Sequence, residues 1–432
     1  MVKKIVGLVV VTAAVIAGTY VFRSDPPRVA TQETPTALQS TGTASRGELE
    51  RLVREFEARV AENPTALQYT FLGRLYLQQG KLTGDLSSYA RAGEVLTAAL
   101  AIYPDDPEAG TLLATTRYIT HDFTGAITVA EEIDDLGARA VVGDASLELG
   151  RYDTASTIYD ELTQELPGVA AVDARRSRLA FLRGDVRSAQ SFAERAARAA
   201  RAEGAFGPAL AQYHSTVSTL AFERGDYDVA TEQARMALVA APEWHVGLTA
   251  LARATAASGD TDEAIAIYRG AIDAVPEPGA VAALGDLLHL AGDDAGADEQ
   301  YGTVEVVAQL ASASGVFDRQ LVVFWADHGT RAADAVAIAR DELAERSDVY
   351  GHDALAWALL ADGDAAAARV ESDLALALGT RDARLLYHAG MISAALGDDD
   401  RARDELRAAL DLNPHFDPLQ SARAADTLEG LS

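Results

Sequence analysis

The sequence predicts an all-α protein in which helical hairpins stack into a solenoid. Three observations support this fold class. The stretch from His245 to Pro276 contains two amphipathic helical patterns separated by Ser258-Gly259. The features of this stretch recur along the chain at a spacing near 34 residues. Hydrophobic residues make up 49% of the chain but aromatic residues only 6%, because alanine dominates, and small side chains suit closely packed helices.

The stretch 245–276 shows how one hairpin is built. Its first helix has one apolar face and ends at Gly259, since glycine readily adopts the left-handed backbone that closes a helix. The run from Asp260 to Glu263 supplies capping oxygens to the second helix. Tyr268 fills the space beside small residues, and Pro276 ends the second helix because it has no amide donor. Such a hairpin cannot bury its apolar faces alone.

These features resemble the tetratricopeptide repeat, a helical hairpin with a period of 34 residues. Four of the nine intervals between the alanines that open the second helices are 34 residues, and two are 33. These alanines are Ala92, Ala126, Ala155, Ala189, Ala230, Ala264, Ala297, Ala335, Ala368 and Ala402. The closing glycines are expected at Gly80, Gly150, Gly184, Gly225, Gly259, Gly292, Gly329, Gly363 and Gly397. The resemblance implies a right-handed α-solenoid superhelix of about ten hairpins.

The composition divides the chain into five predicted segments. Repeats need polar caps at both ends, and suitable helical patterns lie on either side of the array. The segments are a membrane anchor or signal segment (1–22), a flexible linker (23–47), an N-terminal capping helix (48–63), the repeat array (64–414) and a C-terminal capping helix (415–432).

The N-terminal segment has two interpretations. Ile5 to Phe22 is an uncharged run of 18 residues, which as a helix would span roughly 27 Å, close to the ~30 Å hydrocarbon layer of a membrane. A cleaved signal peptide is the alternative, with Val15-Ile16-Ala17 as its cleavage site. Tyr20 lies where interfacial aromatics occur and favours an anchor. Lys3 and Lys4 would then keep the N-terminus inside and place the repeats outside the cytoplasm, whereas cleavage would give a secreted or periplasmic protein.

The residue content argues against an enzyme and against nucleic acid as a partner. The chain has no cysteine, and phosphate-binding loops, GxSxG and HExxH are absent. The 37 basic and 65 acidic residues give a net charge of −28, the wrong sign for binding phosphates. We expect no catalytic residue, no cofactor and no metal site. Acidic residues after the closing glycines, such as Asp293 and Asp398, are interpreted as helix caps.

The concave wall, which in the family is formed by the first helix of each hairpin, is the predicted binding surface. Aromatic and arginine side chains, which commonly anchor protein partners, are projected onto it. The predicted contact residues are Tyr118, Arg178, Phe181, Phe222, Arg253, His289, Arg319, Tyr350, Trp357 and Tyr387. For Trp357 and Trp325 core packing is the default interpretation.

The predicted function is a non-catalytic, membrane-tethered scaffold that binds a protein or peptide in its groove. An accessory subunit or adaptor of a membrane enzyme or transporter is the alternative. The acidic charge is interpreted mainly as a means of solubility, with the carboxylates in turns and outer helices, and steering of a basic partner is the alternative. The sequence leaves the partner and the oligomeric state open.

Overall fold

The computed structural model describes residues 46–313 and 319–431, and every regular element in these ranges is an α-helix, which confirms the predicted class. The 22 described helices are α1 (Arg46–Glu62), α2 (Ala66–Thr83), α3 (Leu86–Ile102), α4 (Pro107–Ile119), α5 (Phe123–Glu131), α6 (Leu136–Glu148), α7 (Tyr152–Glu165), α8 (Ala170–Leu182), α9 (Val186–Ala202), α10 (Gly207–Glu223), α11 (Tyr227–Ala240), α12 (His245–Ala257), α13 (Thr261–Ala274), α14 (Pro278–Leu290), α15 (Asp294–Ala313), α16 (Arg319–Asp327), α17 (Ala332–Glu345), α18 (Val349–Ala361), α19 (Ala365–Leu376), α20 (Ala383–Ala395), α21 (Asp399–Leu412) and α22 (Gln420–Gly430).

Helices α2 to α21 form ten consecutive pairs among the described residues. Each even-numbered helix is the first of a pair, and the odd-numbered helix after it is the second. Several first helices also pack on the first helix of the next pair, as α10 does on α12 and α18 on α20. The first helices form the inner wall of the array, and most of the second-helix residues lie behind it.

The aspartates between paired helices act as the sequence predicts. The Oδ1 atom of Asp260 accepts from the amide of Glu263 at 3.1 Å at the start of α13. Asp293 does the same for Gly296 at 3.0 Å, and Asp398 caps α21. These carboxylates satisfy amides that have no partner inside the helix, which explains their position after the closing glycine.

The closing glycine is confirmed at eight of its nine predicted positions, where φ lies between 62° and 92°. Gly80 is the exception, since α2 continues through it to Thr83 and Gly84 takes the left-handed conformation with φ 69°. The Gly80 backbone instead lies against the ring of Tyr89, where an added Cβ would be 2.6 Å from Cζ. In the second pair His121 replaces the glycine, with φ 65°.

The marker alanines are all at most 2% exposed, in agreement with their predicted place at the closest helix contact. Tyr268 is also buried, at 2% exposure. Glycines in two first helices let a second-helix tyrosine approach still more closely. A Cβ on Gly143 would be 2.7 Å from the ring of Tyr159, and one on Gly285 would be 2.5 Å from the ring of Tyr301. Small residues therefore set the spacing within a pair.

The irregular intervals between markers reflect helix lengths. The short interval from Ala126 to Ala155 coincides with α5, which has only 9 residues. The long interval from Ala189 to Ala230 contains α9 and α10, which have 17 residues each. The long interval from Ala297 to Ala335 contains most of α15, which has 20 residues. Extra residues lengthen helices and leave the order of the pairs unchanged.

Contacts between distant pairs show that the array winds back onto itself. Gly150, after α6, lies against Ser347, before α18. Gly184, after α8, lies against Gly379, before α20. Asn413, before α22, donates to the carbonyl of Phe222 in α10 at 2.7 Å. Each contact joins helices that are twelve apart, so one superhelical turn contains six pairs.

The ends of the array are covered by α1 and α22. Leu49, Leu52, Val53 and Phe56 of α1 pack into the cluster that contains α2 and α3. In α22, Ala424 is fully buried against Phe416 and Tyr387. No helix of the described residues has the length and apolar character to span a membrane. The anchor predicted at 5–22 and most of the linker predicted at 23–47 lie outside the described residues.

Candidate functional site

The first helices enclose a central cavity of about 1130 Å³. Every first helix from α8 to α20 contributes lining residues, and α22 adds Ser421, Ala422 and Ala425. The lining therefore extends over more than one superhelical turn. The volume lies above the range of roughly 300 to 1,000 Å³ that is usual for small-molecule sites, so the cavity has room for a peptide segment.

Six of the ten predicted contact residues line this cavity, namely Arg178, Phe181, Phe222, Arg253, Arg319 and Tyr350. The guanidinium carbon of Arg253 lies 4.1 Å from the centre of the Phe222 ring, and its Nη2 is 3.0 Å from Glu223 Oε1. The Tyr350 hydroxyl donates to Asp382 Oδ2 at 3.2 Å. The wall is therefore held in place by its own polar contacts, and its role in binding stays a prediction.

The other four predicted residues do not line the cavity. Tyr118, Trp357 and Tyr387 are buried members of the apolar clusters and contribute nothing to the lining, so they support the wall from behind. Trp357 donates to Asp327 Oδ1 at 2.9 Å and stacks on His388, which agrees with the default of core packing. The side chain of His289 is 57% exposed and pairs with Asp294. Projection from one hairpin misplaces these residues because it fixes the face of a helix only to within about one residue.

The contact between α6 and α18 is a buried network of charges, which we call the ionic seam. It consists of Glu148 and Arg178 on one turn and Arg319, Glu342, Arg346 and Asp348 on the other. Glu148 is fully buried and forms ion pairs with both Arg178 and Arg346. Burial alone would raise the pKa of Glu148, but the two arginines lower it to about 2. Glu148 is therefore ionised at every ordinary pH.

A second charged region lies on the cavity wall around Arg384, and we call it the acidic pole. Its carboxylates are Glu223, Asp327, Asp353, Asp382 and Asp417. Arg384 pairs with Asp417 at 2.9 Å, and Arg253 with Glu223 at 3.0 Å. Asp353 is 3.0 Å from His388 Nδ1. Carboxylates therefore outnumber the cations of the pole.

Burial, together with neighbouring carboxylates, raises two pKa values in the acidic pole. Burial and the charge of Asp417 raise the pKa of Asp327 to about 6. Burial and the charge of Glu223 raise the pKa of Asp382 to about 6. Both groups are thus less acidic than an ordinary aspartate, because ionisation places a further negative charge near others in a poorly hydrated place.

Neither charged region is predicted by the sequence. The carboxylates are expected in turns and outer helices, but seven of them line the cavity beside five arginines. The lining carboxylates are Glu223, Glu277, Asp286, Asp327, Asp353, Asp382 and Asp417. Several of these carboxylates lie at helix ends, where the sequence predicts a helix cap, and Asp382 does cap α20. The sequence pattern does not show that such a residue also lines the cavity.

Comparison with known proteins identifies one repeat directly. Residues 383–416, which comprise α20 and α21, match the model of the tetratricopeptide repeat family. No curated protein matches the chain.

Two solved structures are similar along most of the chain. The structure of the APC/C hetero-tetramer Cut9-Hcn1 is 12% identical over 89% of this chain and 93% of that chain, with a TM-score of 0.33. The structure of yeast Tom70 is 10% identical over 89% and 92%, with a TM-score of 0.38. At these identities and TM-scores, neither likeness supports an inference about this protein.

Proposed function

We propose that this tetratricopeptide-repeat protein is a non-catalytic scaffold that binds a segment of a protein partner in its central cavity. The observation that carries the proposal is the cavity of about 1130 Å³ on the inner wall of the repeats, where aromatic and arginine side chains meet. Phe181, Phe222 and Arg253 are of residue types that are enriched at protein interfaces.

The test fills the cavity instead of removing its wall. Thr219 in α10 and Thr249 in α12 are partly exposed lining residues, so Thr219→Trp and Thr249→Trp place an indole in the space a partner would occupy. Tryptophan and threonine have similar helix propensities, so the helices should form as before. Val239→Trp is the matched control, because Val239 is 85% exposed.

The partner is captured by crosslinking in native membranes, identified by mass spectrometry and purified for titration. We expect each cavity variant to weaken binding by a factor of about ten or more, equivalent to about 1.4 kcal/mol, and the control to leave it unchanged. Equal affinities for all variants would place the binding surface elsewhere. Recovery of a single stoichiometric membrane enzyme or transporter would favour an accessory subunit over a general scaffold.

We also propose that residues 5–22 attach the protein to a membrane, with the repeats outside the cytoplasm. The support is the uncharged run of 18 residues and the lysines before it. Deletion of residues 1–22 should move the protein from the membrane pellet to the soluble fraction, and circular dichroism should show the helices intact. A mature protein that begins at Gly18 would instead indicate a cleaved signal peptide.

A further inference from the structure

We propose that the ionic seam is a gate, at which the two superhelical turns separate and open the cavity along its side while each helix pair stays folded. The gate is a property of the free protein and does not depend on what the cavity binds.

The charges of the seam are arranged so that separation leaves no ion without a partner. On one turn, Glu148 would retain its ion pair with Arg178. On the other turn, Arg319 would retain its ion pairs with Glu342 at 2.8 Å and Asp348 at 2.9 Å. Arg346 lies 3.7 Å from each of the same two carboxylates. The costly outcome of breaking a buried pair is an uncompensated buried charge, and here that outcome is avoided.

The remaining contacts that join the turns here are mostly polar, and they include a hydrogen bond from Thr380 Oγ1 to the Leu182 carbonyl and the packing of the Arg346 guanidinium 5.3 Å from the centre of the Phe123 ring. The amide of Val349 donates to the Tyr152 hydroxyl at 2.9 Å, and Ser347 Oγ donates to the Leu149 carbonyl at 3.4 Å. The apolar contacts to the α6–α8 cluster come from Tyr350 and Leu378, which are only partly buried. Within a pair, by contrast, the helices share a closely packed apolar core. The turns should therefore part more easily than the pairs unfold.

Two glycines allow the turns to approach this closely. Gly150 and Gly184 have φ of 71° and 74°, and both face the backbone of the other turn. A Cβ on Gly150 would be 2.3 Å from the Ser347 carbonyl oxygen, and one on Gly184 would be 2.1 Å from that of Gly379. Alanine at these positions should act as a wedge between the turns. Gly259 and Gly363 have φ of 92° and 90° with no atom within 4 Å of an added Cβ, so alanine there adds backbone strain without a wedge.

The experiment compares the wedge variant Gly150→Ala/Gly184→Ala with the control Gly259→Ala/Gly363→Ala in the full-length protein. The chain has no cysteine, so introduced cysteines can be labelled specifically. Spin labels at Asp160→Cys in α7 and Asp341→Cys in α17 report the distance between the turns, since both side chains are exposed. A separate Thr249→Cys reports access to the cavity through its rate of reaction with a polymer-linked maleimide.

We expect the wedge variant to lengthen the distance between the spin labels and to raise the maleimide rate about tenfold, while the control keeps the wild-type values. Arg346→Gln removes the ion pair with Glu148 without adding bulk between the turns. It should therefore lengthen the spin-label distance and raise the maleimide rate, each by less than the wedge variant does. The gate would be contradicted if the spin-label distance and the maleimide rate both stayed at their wild-type values in a folded wedge variant and in Arg346→Gln. Equal changes in wedge and control would also contradict it, because backbone strain would then be the cause.

Discussion

The ionic seam and the acidic pole are both built from buried carboxylates, yet their pKa values move in opposite directions. Glu148 has two arginines as partners, and its pKa falls to about 2. Asp327 and Asp382 are buried with a carboxylate as their strongest charged neighbour, Asp417 for the first and Glu223 for the second, and the pKa of each rises to about 6. Burial raises the pKa of a carboxylate in both places, so the neighbouring charges decide the direction of the net shift. Buried carboxylates therefore stabilise the ionic seam and destabilise the acidic pole.

The largest effect is expected for Glu148→Gln. Arg178 would lose its buried carboxylate, and breaking a buried ion pair costs about 3 to 5 kcal/mol. Arg346→Gln should cost less, about 1.5 to 3 kcal/mol, because Glu148 keeps Arg178. Denaturant unfolding with hydrogen exchange in α6 and α8 measures both. Equal losses for the two variants would show that Arg178 does not depend on Glu148.

The opposite sign is expected in the acidic pole. Asp382→Asn and Asp327→Asn should each stabilise the protein at pH 7 by about 1 to 3 kcal/mol, since one pKa unit corresponds to about 1.4 kcal/mol. Asparagine at position 382 retains an oxygen that can cap α20. Asparagine at position 327 retains an oxygen that can accept the hydrogen bond from Trp357 Nε1. The unfolding midpoint measures the gain, and Asp404→Asn, with a side chain 85% exposed, should change nothing. A loss of stability in both variants would mean that attraction to Arg384 outweighs the repulsion.

The pH dependence of stability should separate the two regions. The raised pKa values mean that the folded protein holds more protons than the unfolded chain between about pH 4 and 6, so the acidic pole makes stability fall as pH rises through that window. The lowered pKa of Glu148 makes stability rise with pH between about 2 and 4.5. Melting temperatures of the wild type and of Asp327→Asn/Asp382→Asn measure this. The double variant should lose the fall between pH 4 and 6, and an unchanged profile would contradict the assignment.

The smallest effect is expected where Asn413 contacts Phe222 in α10 and Tyr227 in α11, because these hydrogen bonds join the turns without charges. The Tyr227 hydroxyl donates to Asn413 Oδ1 at 2.6 Å, and that oxygen also accepts from the amide of His415 at 3.0 Å. Tyr227→Phe removes one neutral hydrogen bond and should cost about 0.5 to 1.5 kcal/mol. The cost should be the same from pH 5 to 8, as measured by thermal unfolding. A cost that varies with pH would connect this contact to the acidic pole.

The sequence by itself determined the helix pairs and the residues at their closest contact. The ten marker alanines are buried and eight of nine closing glycines have positive φ, because helix periodicity, caps and left-handed turns are set by residues close together in the chain. Gly80 does not close a helix as predicted, because it serves the packing of Tyr89 instead. The left-handed turn at His121 is not predicted, because histidine adopts that conformation less often than glycine.

Only the tertiary structure decided how the pairs wind. Glu148 meets Arg346 across 198 residues, and the contact depends on the angle between successive pairs summed over six of them. A small change of angle in each pair would move the two turns apart, and no spacing in the sequence encodes that sum. The same winding gathers Glu223, Asp327 and Asp382 around Arg384, so the charged character of the cavity arises from the path of the superhelix and not from any local motif.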